Sequence, residues 1–225
     1  PMSTPQGLPV NAVYGTLTML IKLLQNYNPT HVVLARDLPG GSFRNQKYAL
    51  YKANRGPAPE DLVPQFAIIE TLISKMGIPH KGIANYEADD IIGVICHEHG
   101  VHLNDGSDPI LILSSDKDFV QLQTYANIKQ WNPIHNKWVE HSNPDYYLKE
   151  HIFEGDSSDG IPNVLSQSNC FMVKVRQKPM TKPRLENLME NPETIDAETK
   201  EKIERNRKLI DLTFVPDVYK NKILE

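Results

Sequence analysis

In Ile110-Leu111-Ile112-Leu113-Ser114-Ser115-Asp116-Lys117-Asp118, four consecutive apolar residues run into two carboxylates. A short, fully apolar run suits a strand buried on both faces, as in a parallel sheet. Open parallel sheets carry their ligand sites at the carboxyl ends of strands, where loops lead into helices. Asp116 and Asp118 stand at such an end.

The flanking segments repeat the alternation. Upstream, Glu87 precedes a helix through Ile91, Ile92, Val94 and Ile95; downstream, Ile128 to Glu140 has the pattern of a hairpin turning near Asn132-Pro133 and His135-Asn136. A helix from Asp145 to Phe153 leads into Gly155-Asp156. Nearer the start, Asn11 to Tyr27 carries a helical apolar stripe, and His31-Val32-Val33-Leu34-Ala35 is suited to a buried strand followed by Asp37. Ser42 to Arg55 is expected to be a charged helix. After Gly56-Pro57-Ala58-Pro59 a second helix shows Leu62, Phe66, Ile69, Ile73 and Met76 on one face. Beyond Ile161 the chain is basic and polar, with a helix from Ala197 to Leu209. The expected fold is α/β, a mostly parallel central sheet flanked by helices, with a catalytic core over 1–155 and a helical C-terminal region over 156–225.

At 225 residues and 40% hydrophobic content, the chain has enough apolar surface for one such core and a smaller appended region. Neither a membrane span nor a signal-peptide pattern is visible, so a soluble, cytoplasmic protein is expected. Cys96 and Cys170 lack a metal-ligand spacing and are expected as buried thiols.

The acids cluster. Asp37 follows one strand and Asp116 and Asp118 another; Glu87-Ala88-Asp89-Asp90 opens a helix; Asp156-Ser157-Ser158-Asp159 puts two carboxylates three residues apart. Carboxylates so crowded repel one another unless a cation is present. Oxygen donors without a paired His or Cys select hard cations, Mg²⁺ or Mn²⁺, and more than four acids imply two ions. Two ions can activate a water and stabilise the leaving oxygen of a phosphodiester. The net charge of −4 argues on its face against a nucleic-acid partner. With these eight acids set aside, however, 20 remain against 24 Lys and Arg.

Asp37, Tyr51-Lys52-Ala53-Asn54-Arg55, Tyr86-Glu87-Ala88-Asp89-Asp90, Ser115-Asp116-Lys117-Asp118 and Gly155-Asp156-Ser157-Ser158-Asp159 together resemble the 5′-nuclease family. That family comprises the 5′-nuclease domain of bacterial DNA polymerase I, the flap endonucleases and the ribonuclease H of T-even phages. The resemblance implies a PIN-like fold with a helical arch over about 40–78. It places Asp37, Glu87, Asp89, Asp116 and Asp118 nearest two metal ions, with Asp90, Asp156 and Asp159 completing the cluster. It also implies 5′ to 3′ cleavage of flaps, nicked duplex or RNA–DNA hybrids, as in primer removal. A single-strand-binding protein or replication clamp would be a candidate partner of a monomeric enzyme in a bacterial or phage-infected cell.

Departures from the family pattern are also visible. No strand with an Asp-Gly pair precedes Asn11, and a further strand with a metal-binding aspartate is expected before Pro1. Arg36 replaces an apolar residue, and Leu165-Ser166-Gln167-Ser168 stands where a Gly-rich hairpin usually follows.

Arg44, Lys47, Tyr48, Tyr51, Lys52 and Arg55 would share one helical face, cationic for phosphates and aromatic for bases. Lys52 and Arg55 match basic positions of the arch and are expected to stabilise the scissile phosphate. Lys174, Arg176, Lys178, Lys182 and Arg184, in a Pro-containing loop, are expected against duplex backbone. His97 and His99 are read as surface residues. A competing function is a non-catalytic binder of branched DNA. An aspartate-based phosphotransferase is disfavoured, because no strand-end Asp-x-Asp has a matching downstream Lys and the Arg and Tyr residues stay unexplained.

Overall fold

A computed structural model describes residues 2–103 and 107–224. Contacts divide the chain into two compact units at places other than residue 155. One comprises the chain up to Arg36 together with Gly56–Gly82, and the other Asp37–Arg55 with the chain from Ile83 onward. The segment read as an arch is therefore shared between them.

In the smaller unit α1 (Asn11–Tyr27) packs on α3 (Val63–Lys75). The start of α1 has no side-chain cap of its own. Buried Gln65 takes that role, its Oε1 accepting from the amides of Ala12 (2.8 Å) and Val13 (3.3 Å), which a helix start otherwise leaves unpaired. Asn28, left-handed at φ 41°, ends α1 before Pro29. The strand read over 31–35 is reduced to β1 (Leu34–Ala35), parallel to β2 (His80–Lys81), and Val33 is exposed. Pro79 has no amide to donate, so pairing starts from its carbonyl, which accepts from Leu34 (2.9 Å).

The larger unit is α/β. α4 (Ala88–His99) precedes β3 (Ile110–Leu113), which pairs in parallel with β4 (Ile128–Asn132); β5 (Lys137–Val139) returns antiparallel to β4. The expected helix–strand alternation is present, but among the described residues the strands form two separate ladders in place of one central sheet. Buried Cys96, Ile112, Phe119, Leu122, Ile128 and Leu212 make one core. Tyr48, Tyr51, Ile152, Ile161, Leu209 and Ile210 make another, joining the region of α2 (Phe43–Lys47) to α5 (Pro144–Glu154) and α7 (Ala197–Ile210). α6 (Lys182–Glu190) and α8 (Asp217–Leu224) complete the helical C-terminal part.

The long charged helix over 42–55 is not formed. α2 covers only Phe43–Lys47; turns follow, with Lys52 in the left-handed region at φ 57°. Arg44, Tyr48 and Tyr51 do not form an exposed face either. They are buried, and their polar ends find partners inside: Arg44 on Asp90, the Tyr48 hydroxyl on the Ser168 carbonyl, and the Tyr51 hydroxyl on Glu87 and Asp159. Lys47 and Arg55 are exposed and Lys52 is half-buried. Among the C-terminal cations all five are exposed, but Lys182 and Arg184 begin α6 and only Lys174, Arg176 and Lys178 lie in loop. His97 is not a free surface residue: its Nδ1 lies 2.8 Å from the Tyr125 hydroxyl.

Candidate metal centre

The site is built in the larger unit from four chain segments. Glu87 caps α4, the next turn carries Asp89, and the Asp37 carboxylate accepts from the amide of Ala88 (2.7 Å). Negative groups at this end face the positive pole of the helix. The loop after β3 brings in Asp116 and Asp118. Buried Gln130 on β4 fixes that loop by donating to the carbonyls of Ser114 (3.0 Å) and Asp116 (2.5 Å). Asp116 caps the following 3-10 turn, accepting from the Asp118 amide (3.0 Å).

After α5 the chain turns sharply through Gly155, at φ 69°. A Cβ there would stand 2.4 Å from the Ile161 carbonyl, so glycine is required. That turn presents Asp156 and Asp159. The 50–55 segment docks on it: the Lys52 amide donates to the Asp159 carbonyl (2.7 Å) and Asn54 Nδ2 to the Ser157 carbonyl (2.9 Å). Gly160, at φ 70°, permits the approach, because a Cβ would meet Asn54 Oδ1 at 2.8 Å.

The cations distribute unevenly over the acids. Lys52 Nζ lies 2.7 Å from Glu87 and 3.7 Å from Asp159; Arg55 pairs with Asp159. Burial opposes ionisation of Glu87, but the charges of Arg44 and Lys52 with hydrogen bonds from Lys52 and Tyr51 hold it below the usual range. Asp156 is also held low, its burial outweighed by hydrogen bonds from the Ser158 amide and hydroxyl (2.7 and 2.6 Å). Asp89 is different: burial and the charges of Asp116 and Glu87 push it up to about 7. Asp116 is raised by burial and by Asp118, Asp159 and Asp156, against a hydrogen bond from the Asp118 amide. These shifts report more negative charge than the nearby cations balance. The donor set fits a hard divalent cation on that ground.

Asp90 is a correction. It is fully buried, with both oxygens on the Arg44 guanidinium (2.7 and 2.9 Å), and one also accepts from the Glu87 amide (2.9 Å). Its expected place as a metal ligand gives way to a structural ion pair, and the Arg44 Nε donates onward to the Leu209 carbonyl (2.8 Å). One nitrogen donor also lies beside these oxygen donors. His151 on α5, not selected from the sequence, has its Nε2 3.0 Å from Asp118 and 3.6 Å from Asp156. Donor atoms of Asp118, His151 and Asp156 all lie within 4.8 Å of one another. The available signal was its position, five residues before Asp156 on the helix that delivers that acid.

Asp89 gives a stability prediction. Between its ordinary value and about 7 the folded chain keeps a proton that the unfolded chain has lost, so metal-free stability falls as pH rises through that window. Asp89→Asn is expected to raise the melting temperature in chelator at pH 8 by several degrees, about 2 kcal/mol after allowing for partial exposure. Mg²⁺ should narrow the gap. An unchanged or lower melting temperature for the variant in chelator would show that the carboxylate is not under this repulsion.

Short ladders, mostly parallel, alternating with helices along the chain, with acids gathered at loop ends, define an α/β protein. Residues 1–153 match the family model described as 5′-3′ exonuclease, N-terminal resolvase-like domain. The chain belongs to the 5′-3′ exonuclease family. A 5′-3′ exonuclease of Bacillus subtilis is 31% identical over 231 residues, which cover 94% of this chain and 75% of that protein. DNA polymerase I of Lactococcus lactis is 33% identical over 204 residues, 86% of this chain but only 23% of the polymerase. The solved D15 protein of phage T5, co-crystallized with metal ions, superposes with a TM-score of 0.63 at 17% identity, covering 96% of this chain and 86% of that one. A T5 D15 flap endonuclease complex with DNA and metal ions gives 0.61 at 16% identity, over 96% and 84%. At these identities the likeness is one of fold.

Proposed function

We propose that this chain is a Mg²⁺-dependent nuclease that hydrolyses phosphodiesters near the 5′ ends of flaps, nicked duplex or RNA–DNA hybrids in the cell interior. The observation that carries this is the gathering of Glu87, Asp89, Asp116, Asp118, Asp156 and Asp159 around an excess of negative charge. Two divalent ions held there would activate a water for attack and stabilise the leaving oxygen. Glu87, Asp89 and Asp116 are the ligands proposed on one side, with Asp37 beside them, and Asp118, Asp156 and Asp159 on the other. Lys52 and Arg55 balance Glu87 and Asp159 and are available to a phosphate brought against those acids.

Exposed Lys47, Lys174, Arg176, Lys178, Lys182 and Arg184 are proposed to hold the nucleic-acid backbone by charge. Arg44, Tyr48 and Tyr51 support the site from within: the Tyr51 hydroxyl lies 2.9 Å from both Glu87 and Asp159, its one proton shared between them. No described helix is long and apolar enough to cross a membrane.

The test is a set of labelled substrates incubated in Mg²⁺: a 5′ flap, a nicked duplex, an RNA–DNA hybrid and a linear single strand. Short products released from 5′ ends of the branched or hybrid substrates are expected. Tight binding of the flap without any cleavage would make the protein a non-catalytic binder of branched DNA.

A further inference from the structure

Resting on the proposed two-ion reading, we infer that His151 supplies an imidazole nitrogen to the ion held by Asp118 and Asp156, so that this half of the site favours Mn²⁺ over Mg²⁺. The side chain is placed for this role. His151 is only 6% exposed, and its ring stacks on Tyr147 one helical turn earlier, with centroids 5.9 Å apart at 22°. Its Nε2 points between the two carboxylates, 3.0 Å from Asp118 Oδ1 and 3.6 Å from Asp156 Oδ2.

Donor atoms about 2.1 Å from one ion lie roughly 3 to 4 Å from each other, so the three groups need only small side-chain rotations to share a cation. Without an ion, the His151 contact to Asp118 occupies the same ground. Imidazole is a poor donor for Mg²⁺, which prefers oxygen and water, and a better one for Mn²⁺ and later first-row ions. Among the described residues the donor group that contains a histidine is Asp118, His151 and Asp156, so the preference belongs to that half of the cluster.

The test measures binding, not turnover. In the full chain, titration calorimetry with Mn²⁺ and with Mg²⁺ gives the affinity ratio for wild type and for His151→Asn, with circular dichroism checking the fold. The ratio is expected to fall about tenfold in the variant, chiefly through weaker Mn²⁺ binding. Pulsed electron paramagnetic resonance of Mn²⁺ on the unmodified protein should show coupling to a coordinated imidazole nitrogen, a readout that needs no variant. Mn²⁺ bound without nitrogen coupling, or an unchanged ratio in a folded variant, would overturn the ligand role while leaving the carboxylate site standing. If neither ion binds the wild-type chain, both this role and the two-ion reading fail.

Discussion

Asp118→Asn is expected to reduce the single-turnover cleavage of a 5′ flap by on the order of a thousandfold or more, while changing affinity for the flap only slightly. Asp118 stands at the end of β3, where its backbone is fixed by the Asp116 cap and by Gln121, whose Nε2 donates to the carbonyls of Asp118 (2.9 Å) and Ile210 (3.0 Å). Asparagine should keep those backbone contacts and remove the charge. Fewer charges would hold the ions, and the loss falls on the transition state more than on the bound substrate, for which basic residues elsewhere are the proposed grip. Rates from quenched flow and affinities from fluorescence anisotropy separate the two effects. A variant that cleaves at the wild-type rate removes Asp118 from the centre.

The second large effect is on stability. Arg44 is 2% and Asp90 0% exposed, and the pair ties α2 to the first turn of α4 and, through the Leu209 carbonyl, to α7. Arg44→Ala leaves the Asp90 charge in the interior unpaired, which costs about 3–5 kcal/mol. In a domain of this size that lowers the melting temperature by roughly 10 °C. The double variant Arg44→Leu, Asp90→Asn removes both charges, and it should recover more than half of the loss while keeping an acceptor for the Glu87 amide. A single variant as stable as wild type, or a double variant no better than the single, would show that the buried pair does not carry this part of the fold.

These two predictions mark where the sequence was legible. The α4 and β3 segments were readable because their patterns are strong: an acid-rich start before an apolar helical stripe, and four apolar residues ending in acids. Asp116 and Asp118 follow from the end of β3, and Asp156 and Asp159 from the end of α5 at Gly155. The 42–55 segment was misread for a physical reason. Its interior face is made of Arg44, Tyr48 and Tyr51, whose polar ends are satisfied by Asp90, Ser168, Glu87 and Asp159, residues far away in sequence. Periodicity can show that such residues share a side, but not that partners for their polar atoms are waiting there. Asp90 was miscast for the same reason, since three acids in four residues look alike until one of them meets a guanidinium. His151 was missed because its importance comes from facing Asp118, 33 residues earlier. The strand read over 31–35 was overextended because Pro79 limits the ladder, an effect visible only once its partner β2 is known.

The central claim is that the carboxylate cluster holds divalent ions without which the chemistry does not run. It is tested most directly by single-turnover cleavage of a labelled 5′ flap by the unmodified chain across a Mg²⁺ titration starting from chelator. The account predicts no cleavage in chelator, a rise with a steeper than first-order dependence at low Mg²⁺ and then saturation. Cleavage at the full rate in chelator would contradict it.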